Sequence, residues 1–275
     1  MKNHMDASVQ YLLAKACPSI QSRVRREILG ESRQEADVVE LQDAIRQDPA
    51  VFTLLSNQKP GGWLGSAFHG YDSMEAAVRV LSEKDVNPAL PAFKRATDLL
   101  KTRTDRFYQG IGRVGDILDE QGFGGIDMIR AVLLAKTGQE DNPLVKAQIV
   151  MALQACNGVA KGQRMDDFIQ PYRGKMIFRQ GVTWPSIYHF RLLAYSQDWR
   201  NVENFHTLKE TISKLVDWSP LPQVYVVHKG QLIAPASFGL LDLLPEMDAV
   251  DDSGWMVWFP GIEEVSNIGS LTENS

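Results

Sequence analysis

Two acidic side chains stand directly ahead of an apolar helical run, where carboxylates can play one of two roles. Asp72 and Glu75 are three residues apart and precede the run that ends at Leu81. As a pair they can serve as general acid and general base. As a capping box, Asp72 accepts a hydrogen bond from a backbone N–H of the helix and Glu75 reaches back to the N-cap backbone. Their position just before the run favours the cap over catalysis.

Aromatic residues are concentrated in the segment 168–205, and several of them recur at helical spacing around one arginine. The residues concerned are Trp184, Tyr188, Arg191 and Tyr195, with Trp199 just beyond. The spacing i+4, i+3, i+4 puts the first four on one helical face. Such a face can be part of an aromatic core, or it can be the wall of a cavity for an apolar ligand. Arg191 favours the cavity wall, because an arginine among rings needs a carboxylate, a π-face or an anionic ligand as partner.

The composition is that of a soluble globular protein. Hydrophobic residues make up 44% of the 275 residues and charged residues 23%, and the mean hydropathy is -0.21. These values exclude a disordered or collagen-like chain. Apolar runs stay shorter than the roughly 18 residues that a membrane helix needs, so we expect no membrane span. The polar first ten residues are unlike a secretory signal, which predicts a cytoplasmic location.

Charge and cysteine usage exclude further classes of protein. The net charge is -5, and after Lys229 the chain has eight carboxylates and no further lysine or arginine. An acidic end repels phosphate backbones, so nucleic acid is not expected as a partner. Cys17 and Cys156 cannot form a disulfide framework, and no clustered Cys or His residues provide a zinc site. Fingerprints for nucleotides are absent as well, so we expect neither a metal nor another cofactor.

The chain reads as a succession of helices. Four proline steps have the form of helix starts, because proline is favoured at the first helical position and Asp or Asn before it can cap. These steps are Asp48-Pro49, Asn87-Pro88, Asn142-Pro143 and Trp184-Pro185. Apolar residues recur at helical spacing from Met128 to Ala135 and within 201–217. The steps lie 39, 55 and 42 residues apart, near the length of the helical hairpins that build solenoids and toroids.

Strand signals are confined to the end of the chain. Val224–Val227, a turn at Lys229-Gly230 and Leu232-Ile233 predict one β-hairpin, and Trp255–Phe259 is a second β-prone patch. We therefore expect a helical-hairpin region over residues 1–220. Residues 221–275 would form an appendage with the hairpin and the acidic tail, within the same domain.

One loop and the helix after it resemble a known superfamily. The loop is Gln58–Gly65, and the helix follows His69 and Gly70. Together they resemble the Gln…Gly-x-Trp loop and inner helix of the terpenoid cyclase and protein prenyltransferase superfamily. The stretches 125–138 and 184–200 are similar to the same repeat, so the resemblance covers roughly residues 20–220. It is closest to bacterial proteins described as prenyltransferase-like or squalene-cyclase-like, and it implies an αα-toroid or an open horseshoe around an apolar cavity.

The resemblance also assigns roles to single residues. His69-Gly70 matches a step that helps to hold a lipid diphosphate in the prenyltransferases, although a loop histidine can equally bond a backbone carbonyl. Trp63 matches the loop tryptophan, which can wedge two hairpins together or line the cavity. The Asp-x-Asp-Asp motif of the cyclases and the zinc ligands of the prenyltransferases are absent, so no reaction follows.

Two functions therefore stay open. In the first, the chain is an α-toroid that binds an apolar, isoprenoid-type small molecule through Trp63 and the aromatic face. His69, Asp72 and Glu75 are its candidate catalytic residues, and whether it is an enzyme is left undecided. In the second, it is a non-catalytic helical-repeat module whose concave face binds a protein partner.

Overall fold

Helices dominate the part of the chain that the computed structural model describes, residues 2–219 and 221–233. Within it, short helical turns at Val24–Ile28 (a π-helix), Asp105–Tyr108 and Met165–Asp167 separate longer helices. The α-helices are α1 (Lys2–Lys15), α2 (Pro18–Arg23), α3 (Ala36–Arg46), α4 (Pro49–Ser56), α5 (Met74–Glu83), α6 (Pro91–Leu99), α7 (Val114–Glu120), α8 (Ile126–Lys136), α9 (Pro143–Lys161), α10 (Ile187–Tyr195) and α11 (Val202–Asp217). The expected mainly helical fold is confirmed.

Two of the four proline steps begin helices as expected. The Asp48 side chain accepts hydrogen bonds from the first backbone N–H groups of α4, and Asn142 does the same for α9. The prediction at Asn87-Pro88 is wrong, because the Asn87 side chain accepts from Ala89 N in a turn and α6 begins at Pro91. The prediction at Trp184-Pro185 is displaced, because α10 begins at Ile187.

The strands form one small sheet with the order β1-β2-β3-β4. These strands are β1 (Ile169–Tyr172), β2 (Lys175–Phe178), β3 (Val224–His228) and β4 (Gln231–Ile233). The antiparallel pair β3–β4 confirms the predicted hairpin, whereas the antiparallel pair β1–β2 was not expected. Strands β2 and β3 are parallel, which joins the end of the described chain to the segment before α10. The predicted patch Trp255–Phe259 lies outside the described residues.

Helix α8 is the centre of the core. Nine of its eleven residues are buried, and it packs against α5, α7, α9 and α10. A helix that is buried all round shows little contrast between its faces, and this explains why the apolar run from Met128 to Ala135 is nearly continuous. Its predicted helical state is confirmed. The two helices that flank it, α5 and α10, carry most of the candidate site residues.

Candidate functional site

The start of α5 differs from the expected capping box. Ser73 is the N-cap residue, and its hydroxyl oxygen accepts a hydrogen bond from Ala76 N at 3.1 Å. Asp72 is exposed, and its backbone carbonyl accepts from the N–H groups of Ser66 and Ala67. Asp72 therefore fixes the loop through its backbone, and the Glu75 side chain points to His69 instead of back to the N-cap.

Glu75 links two residues that are far apart in the chain. One carboxylate oxygen lies 2.5 Å from Nδ1 of His69, and the other accepts a hydrogen bond from the Tyr188 hydroxyl at 2.8 Å. Burial acts to raise the pKa of Glu75, but the hydrogen bond and charge of His69, the Tyr188 hydroxyl and the charge of Arg191 hold it below its usual value. Burial, followed by the negative charge of Glu75, raises the pKa of Tyr188 well above its usual value.

The loop that carries His69 is held by a close backbone contact. The N–H groups of Phe68 and His69 both donate to the carbonyl of Gln109. Gly110, with φ +91, lies so close that a Cβ atom built there would come within 2.0 Å of the His69 carbonyl oxygen. A side chain at position 110 would push this contact apart. The glycine-rich segment that begins at Gly110 is therefore a positioning element for His69.

Helix α10 presents three of the predicted residues to a pocket. The helix start is fixed by Ser186 and the buried His189, because Nδ1 of His189 accepts a hydrogen bond from the Ser186 backbone N–H at 2.9 Å. Burial lowers the pKa of His189 to about 3. One turn and two turns later, Arg191 and Tyr195 follow Tyr188 on the same face. The Arg191 guanidinium lies 5.6 Å from the ring centroid of Tyr188.

A pocket of about 240 Å³ lies between α5, α8 and α10, and we call it the α10 pocket. Its walls combine an apolar strip from α8 with charged and aromatic side chains from all three helices. The lining residues are Glu75, Arg79, Glu83, Ile129, Val132, Leu133, Lys136, Tyr188, Arg191 and Tyr195. The Lys136 ammonium donates to Glu83 at 3.0 Å and lies 4.9 Å from the Tyr195 ring centroid.

The three tryptophans of the predicted site are buried in packing positions. The Trp63 ring contacts Phe107 edge-on and carries the Arg106 guanidinium over its face at 4.7 Å. Trp184 precedes α10 and packs among Phe168, Phe178 and Trp218, while Trp199 follows the helix and donates its indole N–H to the Leu193 carbonyl. The structure thus brings His69, Glu75, Tyr188, Arg191 and Tyr195 together, with Asp72 in the adjoining loop.

Three charged lining residues were not predicted. Arg79 and Glu83 follow Glu75 at intervals of four residues, so α5 carries a polar stripe of alternating sign on the side of the pocket. That stripe is visible in the sequence and would have identified both residues. Lys136 ends α8, where a basic residue is also expected for the helix dipole alone, so its pattern carries no comparable signal.

Among residues 2–219 and 221–233, no group of three or more His, Cys, Asp or Glu side chains is arranged to hold a metal ion. In the same residues, no helix is both long and apolar enough to cross a membrane.

Comparisons of the chain with protein-family models, with curated proteins and with solved structures find no match. The function proposed for the α10 pocket therefore rests on the residues that line it.

Proposed function

We propose that the α10 pocket binds a small organic anion with an apolar body, of the isoprenoid phosphate type. One observation carries the proposal: the pocket combines the apolar strip Ile129, Val132 and Leu133 of α8 with one cationic side chain from each of its three helices. Ligand pockets typically combine apolar walls with a few placed polar groups. A volume of about 240 Å³ is below the range of drug-sized ligands, and it favours a short prenyl chain.

The balance of charge in the pocket supports an anionic head group. Arg79, Lys136 and Arg191 bring three positive charges, against the two carboxylates of Glu75 and Glu83. The lining is therefore positive by one charge in a chain whose net charge is -5. Lys136 is bound to Glu83, whereas Arg191 lies over the Tyr188 ring at the pocket, so Arg191 is a cation that a ligand in the pocket can reach.

The proposal concerns binding, because the groups that can transfer a proton are bonded to one another. The set His69, Glu75 and Tyr188 holds a carboxylate between an imidazole and a phenol, and such a set can exchange protons with a ligand beside it. In the resting protein, its hydrogen bonds fix the Tyr188 side chain, which forms the wall next to Arg191. An acid–base reaction of the bound ligand would use Tyr188, since Tyr188 and Glu75 line the pocket.

The wider architecture belongs to the same proposal. We place the helices in an αα-toroid or open horseshoe like that of the terpenoid cyclase and prenyltransferase superfamily, in a cytoplasmic bacterial protein. The hydrogen bonds of the Gln58 side chain support this arrangement. Its amide N–H groups donate to the carbonyls of Gly62 and Ala92, and its amide oxygen accepts from Arg95. These bonds join the end of α4 to α6, as a loop between helical hairpins requires.

Calorimetric titration of the full chain tests the proposed ligand class. Geranyl phosphate has both the apolar body and the anionic group, geraniol has only the body, and inorganic phosphate has only the anion. We expect geranyl phosphate to bind most tightly. Replacing Arg191 by Met should weaken its binding by about 1.5–3 kcal/mol, the range for a hydrogen bond to a charged group. The binding of geraniol should change little.

The matched control is Arg164→Met, which removes an exposed arginine that is paired with Asp166. This variant should bind geranyl phosphate as the unmodified chain does. Equal affinities for geraniol and geranyl phosphate would contradict the anionic part of the proposal. An Arg191→Met protein that unfolds at a lower temperature and binds the ligand unchanged would place Arg191 in a structural role.

A further inference from the structure

A second pocket, of about 270 Å³, adjoins the first and is lined by three arginines. It lies between the N-terminal helices and the end of α5, and it shares Glu83, Lys136 and Tyr195 with the α10 pocket. We call it the arginine pocket. Its arginines come from three consecutive segments: Arg23 ends α2, Arg26 lies in the π-helical turn, and Arg33 lies in the loop before α3.

Two of these guanidinium groups converge on one buried carboxylate. Arg26 and Arg33 both donate to the same oxygen of Asp85, whose side chain is only 6% exposed. The other oxygen of Asp85 accepts from the Ser22 hydroxyl at 2.6 Å. One negative charge thus faces two positive charges, which leaves an excess of one cation inside a half-buried site.

The surrounding carboxylates reduce this excess without cancelling it, because four cations and three carboxylates line the pocket. Glu27 is bound to Arg23 at 3.2 Å, and Glu83 is bound to Lys136 at 3.0 Å, so each rim carboxylate already has its own cation. In Arg33, Nη1 is buried and makes no hydrogen bond to any of the residues that the structure describes. A buried donor without an acceptor is costly, and a rotation of the guanidinium that turns Nη1 into the pocket would let a ligand oxygen remove that cost.

The geometry suits an oxyanion. A guanidinium presents N–H groups in a planar fork that matches the oxygens of phosphate. The π-helical turn adds a residue to the helical path where Arg26 projects, and such turns are frequent at functional sites.

We propose that the arginine pocket is a binding site for a phosphate-type oxyanion, separate from the ligand site of the α10 pocket. The anion would lie in the pocket beside Arg26 and Arg33, accept a hydrogen bond from the Arg33 guanidinium and add negative charge to a lining in which cations outnumber carboxylates. The phosphate group can belong to the free ion or to a phosphate monoester. The two pockets share Glu83, Lys136 and Tyr195, but the arginines that carry this proposal line the arginine pocket and not the α10 pocket.

Calorimetry with inorganic phosphate in a low-salt, phosphate-free buffer tests the site on the full chain. We expect phosphate to bind the unmodified protein, and Arg33→Gln to weaken that binding by about tenfold or more, as expected for a lost charged hydrogen bond. Arg33→Lys keeps a positive charge beside Asp85 but loses the fork, so it should fold normally and still bind phosphate more weakly. Arg164→Gln, at an exposed arginine, is the control and should bind as the unmodified chain does.

A second titration, with glycerol 3-phosphate, identifies the source of the phosphate group. Tighter binding of the ester would indicate a phosphorylated metabolite, and equal or weaker binding would indicate the free ion. The proposal is overturned if phosphate does not bind, or if Arg33→Lys and Arg164→Gln both bind like the unmodified protein. If phosphate binding is lost in Arg191→Met but kept in Arg33→Gln, the anion lies in the α10 pocket, which refutes this proposal and leaves the proposed function standing.

Discussion

Removing one oxygen atom from Tyr188 would measure how strongly the Glu75 carboxylate holds α10 against α5. In Tyr188→Phe the hydrogen bond of 2.8 Å from the hydroxyl to Glu75 is lost and the ring stays. Both side chains are well buried, at 12% exposure for Glu75 and 5% for Tyr188, so water replaces the hydroxyl poorly. A hydrogen bond to a charged group contributes about 1.5–3 kcal/mol, and we expect a loss of that size in the free energy of unfolding near neutral pH.

The loss should depend on pH, with a sign that follows from Glu75. Its pKa in the folded protein is below the usual value, so its ionised form stabilises the fold above the unfolded-state pKa of about 4.3. This stabilisation disappears as the pH falls through the lower, folded-state pKa. Once Glu75 is protonated, the Tyr188 hydroxyl donates to a neutral group, and the cost of Tyr188→Phe should shrink to about 0.5–1.5 kcal/mol.

Urea unfolding followed by circular dichroism provides the measurement, at neutral pH and at a pH below the titration of Glu75. Tyr195→Phe is the matched control, because it removes the same atom from a tyrosine of the same helix that is 37% exposed. We expect it to change the free energy of unfolding by less than about 0.5 kcal/mol. Equal costs in the two variants, or a cost at Tyr188 that does not decrease in acid, would refute the assigned role of Glu75.

Two further predictions concern the segments that position His69 and Glu75. Ser73→Ala should destabilise the fold by about 1 kcal/mol, because it removes the α5 cap. Asp72→Ala should cost less than about 0.5 kcal/mol. Thermal unfolding of both variants would show the opposite order if Asp72 were the cap. Gly110→Ala should cost about 1–3 kcal/mol more than Gly112→Ala, since both have positive φ but only the first meets a backbone atom. Equal costs in urea unfolding would show that the Gly110 contact is not tight.

The helix starts show which part of the fold the sequence could predict. At Asp48 and Asn142, the cap is a local interaction between a side-chain oxygen and the next two or three residues. The dipeptide was therefore sufficient to predict that a helix starts there. At Asn87 the same local bond closes a turn, and the helix begins three residues after Pro88. A local rule cannot separate the two outcomes, because the same side-chain bond is compatible with a turn and with a helix start.

The β1–β2 hairpin was missed for a related reason. Its turn places Arg173 at φ 50 and Gly174 at φ 73, and an arginine in the left-handed region is not a recognisable turn signal. Pro171 inside β1 also argues against a strand, although proline is tolerated on an edge strand such as this one.

The candidate site was predicted as separate pieces that the sequence could not join. The spacing on α10 identified Tyr188, Arg191 and Tyr195, and the segment that leads into the first turn of α5 identified His69 and Glu75. The bond between Glu75 and Tyr188 spans 113 residues, and it arises because α8 lies between the two helices as a common support. Trp184 has the right spacing but precedes the helix, so periodicity alone placed it on a face to which it does not belong.

The α10 pocket exists because of the kind of side chain that each helix turns towards α8. The apolar strip Ile129, Val132 and Leu133 is buried at the bottom of the pocket, so the space above it is set by the side chains of α5 and α10. A charged side chain there, such as Arg191, favours an opening to water, because complete desolvation of a charge costs more than apolar contacts would return. The opening between α5 and α10 therefore has an apolar floor and a rim in which cations outnumber carboxylates. The polarity that keeps the pocket open is thus the same property that defines its proposed ligand.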